Sequence, residues 1–495
     1  MSQTRPLRWH PSVIALRDAL SPDQEAYLVG GAVRDAYLHR LLHDIDLATP
    51  GDGCPLARRI ADHFNGAFYV LDRERGVGRA LIPWEDHQLT VDVAQFRGPD
   101  LDTDLYHRDF TLNAMAVRLM GDLQTVYDPL GGLDDLEQKR LRQCGPQSIA
   151  TDPVRALRAI RASTRFGLLI EPETRRQIKT HAAALQNVSA ERLRDEFLTI
   201  LAGQRPAAAI DAMLHLGLLE QIVPEVNAMQ GVTQSVPHQF DLWAHTRHTI
   251  NWLNTILRIV QGQANDNTTA NVQTGLIVFS MGHLRDKLAA HMTQDWPNQR
   301  PHHALLLLAA LLHDAGKPAT REESANGRVR FLRHEQVGAE IAETRGQALK
   351  LSNDETKRLT MIVRNHMRPH WLVQAPDLTA RAVYRFWRDT GAAGVDACLL
   401  ALADTLATYG THLETPFWLN YVDTIRELLS RYFEQGNSIK PPQIVTGGQL
   451  IKHLKLTPGP QIGVLLEEIR EAQVEGLIST REEALDWVQR RLEKT

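Results

Sequence analysis

The sequence predicts an α/β unit built on one mixed β-sheet, followed by an all-α body. Short apolar runs bounded by turn residues succeed one another from residue 24 to residue 130, as the strands of a single sheet do. From about Asp152, apolar residues recur at helical spacing up to the end of the chain. The 495 residues exceed what one hydrophobic core organises and correspond to three or four domains, at roughly 100–200 residues each.

Seven β-like runs make up the predicted sheet, and a helix around residues 55–64 lies between the second run and the third. In chain order the runs are "EAYLVGGAV", "DIDLAT", "AFYVLD", "GRALIPW", "LTVDVAQF", "MAVRLM" and "LQTVYDP". Their length and their turn-rich boundaries are typical of short strands, so we expect one compact sheet with helices packed against it.

The predicted helical body begins at "DPVRALRAIRASTRFG", where Pro153 suits the first turn of a helix. A second helix, "SAERLRDEFLTIL", begins at Ser189. Residues 261–275 are polar and predict a mobile loop. Further on, the very apolar helix "HHALLLLAALL" is stopped by Gly316 and Pro318, directly after a His-Asp pair.

The composition is that of a globular protein, with 43% hydrophobic and 23% charged residues and a net charge of −4. This overall charge gives no indication of nucleic-acid binding, although a local basic face can still bind phosphates. Three widely separated cysteines without a CxxC pair fit a reducing cytoplasm better than a disulfide framework. Because no signal-peptide core and no run of about 18 apolar residues occurs, we expect no membrane span.

Two aspartates stand one residue apart in the apolar run "HDIDLAT". On a strand, Asp44 and Asp46 face the same side about 6–7 Å apart, where they share a proton or bind a cation. Asp92, on another predicted strand, is a candidate third ligand, whereas His43 has no role that the sequence can assign. The alternative for an isolated Asp-x-Asp is a turn or a solvated strand edge.

Carboxylate oxygens suit Mg²⁺, which commonly bridges to substrate phosphates and supports phosphoryl or nucleotidyl transfer. A glycine turn, Gly30-Gly31, precedes the aspartates and lets the backbone approach a phosphate closely. By itself this turn is also compatible with an ordinary strand-to-helix connection. The two features together predict a site for phosphate chemistry.

These motifs resemble those of class II tRNA nucleotidyltransferases and bacterial poly(A) polymerases, in the polymerase-β nucleotidyltransferase superfamily. "GGAVRD" and "HDIDLAT" resemble the opening motif, "HRDFTLNAMA" the next one, and "YDPLGGLDDLEQKRLR" the segment that closes the catalytic head. "TDPVRALRAIRASTRFG" resembles the nucleotide-selecting motif, and "SAERLRDEF" the motif after it. The resemblance spans residues 28–200 and implies a nucleotidyltransferase head of mixed sheet and helices.

The resemblance also implies a role for each matching residue. Asp44 and Asp46 would bind catalytic Mg²⁺ ions, with Asp92 as the third carboxylate. The other matched positions of the head would hold the nucleotide, namely Gly30, Gly31 and Arg34 at its triphosphate and Arg108, Asp109 and Asn113 at its sugar and phosphates.

Asp152 and Arg155 would then read the base edge of the incoming nucleotide. An aspartate accepts from the exocyclic amine that cytosine and adenine both carry, and an arginine donates to ring acceptors, so C and A would be selected over G and U. The sequence departs from the family at Thr151, where an acidic residue is usual, and this puts the fine positioning of the motif in doubt. Arg158, Arg161 and Arg165 would contact triphosphate or RNA, the alternative being a solvated helix face.

A second set of polar residues lies in the helical body. Each histidine of this set, taken alone, is more typical of a protein surface or core. The set as a whole resembles the ligand pattern of an HD metal-dependent phosphohydrolase domain. The resemblance implies a divalent-metal site whose identity is open, with His245, His313, Asp314 and Asp404 as the core set and His334 and His366 at the extra positions of two-metal versions. We expect a working hydrolase that acts on RNA-end phosphates such as 2′,3′-cyclic ones. His238, His248 and His370 are interpreted as ordinary histidines near the site.

The predicted domains are a nucleotidyltransferase head (residues 1–150), a helical neck with the nucleotide-selecting motif (151–230), an HD domain (231–420) and a helical tail (421–495). The tail resembles that of many HD-containing bacterial tRNA nucleotidyltransferases and is expected to touch RNA or the neighbouring domain.

The family implies transfer of CMP and AMP from CTP and ATP to the 3′ end of tRNA, completing CCA. The alternatives are an A-adding or CC-adding enzyme or a poly(A) polymerase, among which short loop features decide. A different class of alternative is an HD phosphohydrolase whose head only binds RNA.

Overall fold

The computed structural model describes residues 5–42, 44–263, 271–325 and 327–493. The chain folds into two compact units. The first, here the sheet unit, comprises Met1–Val188 and Ala212–Gln221, and the second, here the helical unit, comprises Ser189–Asp211 and Ile222–Thr495. The predicted fold class, an α/β unit on one mixed sheet followed by an all-α body, is confirmed.

Six strands form the sheet, in the order β3-β4-β5-β2-β1-β6. β2 pairs with β5 in parallel, and the other neighbours are antiparallel. The strands are β1 Tyr27–Val29, β2 Asp44–Thr49, β3 Ala67–Asp72, β4 Val77–Trp84, β5 His87–Gln95 and β6 Ala116–Arg118. The described residues also form three small two-stranded pairs from β7 Arg140–Leu141, β8 Leu169–Ile170, β9 Asp295–Trp296, β10 Arg300–Pro301, β11 Arg321–Glu323 and β12 Val329–Phe331.

The prediction of a seventh strand at "LQTVYDP" was wrong. Tyr127 makes only an isolated bridge with Ala116. The side chain of Asp122 accepts hydrogen bonds from the Gln124 amide and the Thr125 hydroxyl, and these bonds turn the backbone where the strand would have begun.

Alternation along β2 determines which side chains face the site. Ile45 and Leu47 are buried on one face, and Asp44 and Asp46 lie on the other, partly open face. The helix Gly53–His63 packs against the sheet, and its Leu56 side chain is buried. The two aspartates are thus held by a strand whose opposite face belongs to the core.

The first eleven helices are α1 Pro11–Ala15, α2 Gly31–Tyr37, α3 Gly53–His63, α4 Leu101–Tyr106, α5 Gly132–Glu137, α6 Ser148–Thr151, α7 Arg155–Phe166, α8 Pro172–His181, α9 Ala190–Leu201, α10 Pro206–His215 and α11 Leu219–Ile222. The other described helices are α12 Val226–Met229, α13 Leu242–Val260, α14 Val272–Met281, α15 Arg285–Met292, α16 His302–Leu312, α17 His334–Ala348, α18 Asn353–Asn365, α19 Arg368–Gln374, α20 Ala380–Thr390, α21 Ala393–Tyr409, α22 Thr415–Glu434, α23 Gly436–Ile439, α24 Gly447–Leu454, α25 Pro460–Val474 and α26 Arg481–Glu493.

Two helices form the centre of the helical unit. From Ala304 to Leu312, α16 is completely buried, as its apolar sequence predicts. α21 is buried from Ala393 to Thr408 and carries Asp404 near its end. Because His313 directly follows α16 and Asp404 lies on α21, the core itself positions the second candidate site.

The polar segment 261–275 was predicted as a mobile loop. Residues 264–270 lie outside the described residues, and so does His43. The last part of the loop prediction was wrong, because α14 begins at Val272. The side chain of Asn271 caps this helix by accepting from the Gln273 and Thr274 amides.

A closed polar network is buried inside the helical unit. Nε2 of His291 and Nε2 of His302 lie 3.0 Å and 2.9 Å from one oxygen of Asp396, and Arg358 Nε donates to its other oxygen at 2.6 Å. The Trp296 indole N–H donates to His302 Nδ1, so Nε2 of that ring carries the proton given to Asp396. We interpret this network as structural, because the arginine already neutralises the carboxylate.

The C-terminal helices α24–α26 share a small apolar core that includes Leu450, Ile469 and Val488. Ion pairs join α25 to α20: Arg385 pairs through two hydrogen bonds with Glu471, and Arg388 contacts Glu467 at 2.6 Å. The tail therefore contacts another part of the helical unit directly.

No single helix among the described residues is both long and apolar enough to cross a membrane. One pair, Ala380–Thr390 and Ala393–His412, passes on length and composition but is bent by 109°.

Candidate functional site

Three acidic side chains of the sheet unit line up on one face of the sheet. In the parallel pairing of β2 and β5, Asp46 lies directly across from Asp92, and Asp44 is two residues before Asp46. Burial raises the pKa of Asp46 above its ordinary value. The neighbouring carboxylates of Asp92 and Asp44 add to this rise, while Arg108 opposes it. Clustered oxygen ligands with excess negative charge fit a divalent cation.

Gly30, in the glycine turn, packs closely against the Asp46 side chain. Its φ of +67° favours glycine, and a Cβ added to it would lie 2.9 Å from Asp46 Oδ2 and 3.3 Å from an Arg108 nitrogen. A glycine at position 30 is therefore needed to leave room for the Asp46 carboxylate, in addition to any contact with a phosphate.

Replacing Gly30 with alanine is expected to disturb this carboxylate more than the fold. The unfavourable φ costs about 1–3 kcal/mol of unfolding free energy, and the new methyl group displaces Asp46. We expect thermal unfolding to shift by a few degrees and nucleotide transfer to fall at least tenfold. Gly51→Ala is the matched control, because an added Cβ there meets nothing within 4 Å. Equal activity of the two variants would contradict this packing argument.

A narrow cleft beside the carboxylates gathers five of the predicted nucleotide-binding residues, Arg34, Asp109, Asn113, Arg158 and Arg161. Arg34 donates to Asn113 Oδ1 at 2.7 Å and pairs with Asp35 through two hydrogen bonds. Asn113 in turn donates to Asp109 at 3.0 Å. The lining carries more arginines than aspartates, and arginines held close together in this way provide a site for phosphate groups.

Two further residues line this cleft, of which the sequence analysis considered Arg165 together with Arg158 and Arg161 but missed Phe166. The Phe166 ring carries the guanidinium of Arg34 at 4.4 Å and that of Arg165 at 5.4 Å from its centroid. Burial lowers the pKa of Arg165. The helical spacing of Arg158, Arg161 and Arg165 on α7 is the pattern from which Arg165 was considered.

The predicted base-reading pair lies outside the lining of this cleft. Arg155 donates to the backbone carbonyls of His107 and Arg108 and to the Ser148 hydroxyl. Its Nε is 4.0 Å from Asp152 Oδ2. The Arg155 guanidinium therefore binds α7 to the segment before β6, and base reading stays a prediction. Arg108, for its part, pairs with Asp104 at 2.8 Å.

Four histidines and two aspartates predicted as metal ligands converge in the helical unit. Nε2 of His245 lies 2.8 Å from Asp404 Oδ1, and Nε2 of His334 lies 3.3 Å from both Asp314 Oδ1 and Nε2 of His366. The sixth residue is His313, with Nε2 3.3 Å from Asp314 Oδ2. Two groups of this set, His245 with His313 and Asp314, and Asp314 with His334 and His366, have the spacing of metal ligands.

The other ring nitrogens explain the orientation of three of these histidines. Nδ1 of His313, His334 and His366 contacts the carbonyls of Ala310, Phe331 and Val363 at 2.7–2.8 Å. Such contacts place the proton on Nδ1 and leave Nε2 as the ligand atom. Burial lowers the pKa of His366 to about 3, which keeps it neutral. The donor set fits a divalent metal.

Two neighbours contact this set directly, and the sequence analysis assigned neither of them a role. His370, predicted as an ordinary histidine near the site, has Nε2 2.9 Å from Asp404 Oδ2 and Nδ1 2.8 Å from the Tyr421 hydroxyl. Its position four residues after His366 was the available signal. Lys317 places its ammonium 2.6 Å from Asp314 Oδ2.

A cavity of about 360 Å³ opens onto these groups. Its polar wall includes Lys317, Arg328 and Arg330, and its apolar wall includes Val236 and Phe331. Cationic groups beside metal ligands suit a phosphate ester with an apolar or aromatic substituent. His238 also lines the cavity, and burial lowers its pKa to about 4.

Four family models match the chain in succession. They are the poly A polymerase head domain (residues 26–142), the probable RNA and SrmB-binding site of polymerase A (167–230), the HD domain (281–409) and the putative tRNA nucleotidyltransferase domain 2 (423–488). The resemblance of the sequence to nucleotidyltransferase and HD families is thus confirmed.

Curated relatives match over nearly the whole chain. The A-adding tRNA nucleotidyltransferase of Deinococcus radiodurans is 32% identical, with 95% of this chain and 96% of the relative covered. The CC-adding tRNA nucleotidyltransferase of Thermus thermophilus is 29% identical, with 93% and 92% covered. A solved CCA-adding enzyme in complex with ATP shares the fold, with a TM-score of 0.62, 20% identity, and 97% and 95% of the two chains covered. The chain therefore belongs to the tRNA nucleotidyltransferase family.

Proposed function

We propose that the chain extends the 3′ end of tRNA with nucleotides from CTP and ATP. The tRNA 3′-hydroxyl would attack the α-phosphate of the nucleotide, and pyrophosphate would leave. The observation that carries the proposal is the row of Asp46 and Asp92 on neighbouring strands, with Asp44 beside it and an arginine-lined cleft adjacent. The curated relatives named as tRNA nucleotidyltransferases support the same reaction.

Each part of the sheet unit has a role in this proposal. Asp44, Asp46 and Asp92 would hold Mg²⁺, which when bound activates the attacking hydroxyl and neutralises charge on the leaving group. The remaining residues would hold the nucleotide: Gly30, Gly31, Arg34, Arg158 and Arg161 at the triphosphate, Arg108, Asp109 and Asn113 at sugar and phosphate, and Asp152 and Arg155 at the base. Binding of tRNA mainly through its backbone would weaken as salt is raised.

The extent of addition is the finer part of the proposal. The sequence predicts complete CCA addition. A partial enzyme is the second candidate, because relatives that match over more than nine-tenths of the chain are named A-adding or CC-adding.

Product length on defined tRNA ends separates these candidates. Three transcripts would end before CCA, after the first C and after CC, and each would be incubated with CTP and ATP in Mg²⁺. We expect all three to be extended to CCA. Extension of the CC end alone, or arrest at CC, would identify an A-adding or a CC-adding enzyme and contradict complete addition. Long A tracts would indicate a poly(A) polymerase.

We also propose that the helical unit is a metal-dependent phosphohydrolase that acts on RNA-end phosphates such as 2′,3′-cyclic ones. His245, His313, Asp314 and Asp404 would hold one divalent metal, with His334 and His366 extending the site to a second. The convergence of their ligand atoms next to a cavity with cationic groups supports this activity. A bound metal would supply an activated water, while Lys317 and Arg330 would orient the phosphate.

Four functional domains follow from the proposal: a catalytic head (1–150), a neck (151–230), an HD domain (231–420) and a tail (421–495). The order of the four matched family models supports this organisation.

A further inference from the structure

We propose that Arg79 is a positioning residue of the transfer site, which orients Asp92 and weakens the affinity of the site for divalent cations. This inference rests on the proposed function of the sheet unit. In the antiparallel pairing of β4 and β5, Arg79 lies directly across from Asp92, which itself lies across from Asp46. Residues that are direct partners in a sheet point to the same face, so the three side chains form one row across three strands.

Arg79 donates a hydrogen bond to each carboxylate oxygen of Asp92. Its Nε lies 2.7 Å from Oδ1 and its Nη2 lies 2.8 Å from Oδ2. This two-point pairing fixes the plane of the carboxylate, which a single contact would leave free to rotate. The Arg79 and Asp92 side chains keep 39% and 26% of their surface exposed, so the pair is open to the site.

The charges around Asp92 give the pairing a consequence for metal binding. Asp44, Asp46 and Asp92 provide the negative charge of the row; Arg108, which also pairs with Asp104, offsets part of it at Asp46, and Arg79 pairs with Asp92. Arg79 neutralises one carboxylate of the three. A divalent cation is therefore attracted less strongly than the three carboxylates alone would attract it.

Removing the guanidinium should have two effects of opposite sign. The site gains one net negative charge and binds cations more tightly, while Asp92 loses its fixed orientation and the transfer step slows. A pair that only stabilises the β4–β5 hairpin would alter thermal unfolding and leave metal affinity unchanged. The combination of tighter metal binding with slower transfer is thus specific to a positioning role.

The test uses Arg79→Gln, Arg79→Lys and the full chain. Mn²⁺ binding is titrated by electron paramagnetic resonance, and the Mn²⁺ bound by Asp46→Asn, which reports sites elsewhere on the chain, is subtracted. For Arg79→Gln we expect Mn²⁺ affinity to rise about tenfold and kcat at saturating metal to fall about tenfold. Arg79→Lys should restore the affinity but only part of kcat, because an ammonium group cannot pair with both oxygens.

Arg75→Gln is the matched control, since it removes an 84% exposed arginine that precedes the same strand. It should change neither quantity. Unchanged or weaker Mn²⁺ binding by Arg79→Gln would overturn the inference, as would an unchanged kcat. If the wild-type chain transfers no nucleotide, the proposed function fails, whereas Mn²⁺ titration still tests the effect of Arg79 separately.

Discussion

Asp46→Asn is expected to lower nucleotide transfer about 10³-fold, because it removes the more buried of the two carboxylates on β2 that would hold the metal ions. The fold should not suffer. Burial raises the pKa of Asp46, so its charged form is unfavourable in the folded state, and a neutral amide is at least as stable at pH 7.5. The measurements are single-turnover transfer to tRNA and thermal unfolding with and without Mg²⁺.

The combination of lost transfer with retained stability distinguishes a functional carboxylate from a structural one. Asp62→Asn, an exposed aspartate on α3, is the matched control and should leave transfer within twofold of wild type. If Asp46→Asn transferred nucleotides at the wild-type rate, the sheet unit would not be the catalyst. The chain would then be better explained as a phosphohydrolase with an RNA-binding head.

Asp314→Asn is expected to abolish metal-dependent phosphohydrolysis, with a loss of about 10³-fold, and to destabilise the helical unit. Burial opposes ionisation of Asp314, but His313 and Lys317 outweigh it and hold the pKa of this carboxyl well below its usual range. An asparagine leaves Lys317 buried without its counter-charge, which costs about 3–5 kcal/mol of unfolding free energy. Hydrolysis of a 2′,3′-cyclic nucleotide in Mn²⁺, Ni²⁺ or Mg²⁺ and thermal unfolding are the measurements.

The sign of the stability change at Asp314 is opposite to that at Asp46. The depressed pKa means that Asp314 contributes stability above its ordinary pKa of about 4, and that this contribution is lost as the pH falls towards its folded-state value. Asp286→Asn, at an exposed position on α15, should change neither hydrolysis nor unfolding. Hydrolysis that survived in Asp314→Asn would show that the converging histidines are not its site.

The same-face placement of Asp44 and Asp46 could be predicted from sequence because strand alternation has a period of two. The place of Asp92 could not be derived from periodicity, since β3 and β4 intervene in the chain while β5 pairs directly with β2. Its position on another predicted strand made Asp92 a candidate third ligand, and the family resemblance pointed to the same residue, but neither gave the direct pairing of β5 with β2.

The pairing of Asp92 with Arg79 could have been predicted by counting residues from the turn between β4 and β5. Two residues, Glu85 and Asp86, connect β4 to β5, and Glu85 has a positive φ of 50°. Counting back from this tight turn gives Arg79 as the partner of Asp92. The convergence of the predicted metal ligands in the helical unit could not be predicted in this way. These ligands come from separate helices, and no local sequence pattern indicates which helices meet.

The central claim is that the sheet unit selects C and A and joins them to tRNA. It is tested most directly by measuring kcat/KM for each of the four nucleotides on tRNAs that end before CCA, after C and after CC, in wild type and Asp46→Asn. We predict incorporation from CTP and ATP, with UTP and GTP at least about 100-fold poorer, and incorporation about 10³-fold lower in the variant. No incorporation by wild type on any end, or equal use of all four nucleotides, would contradict it.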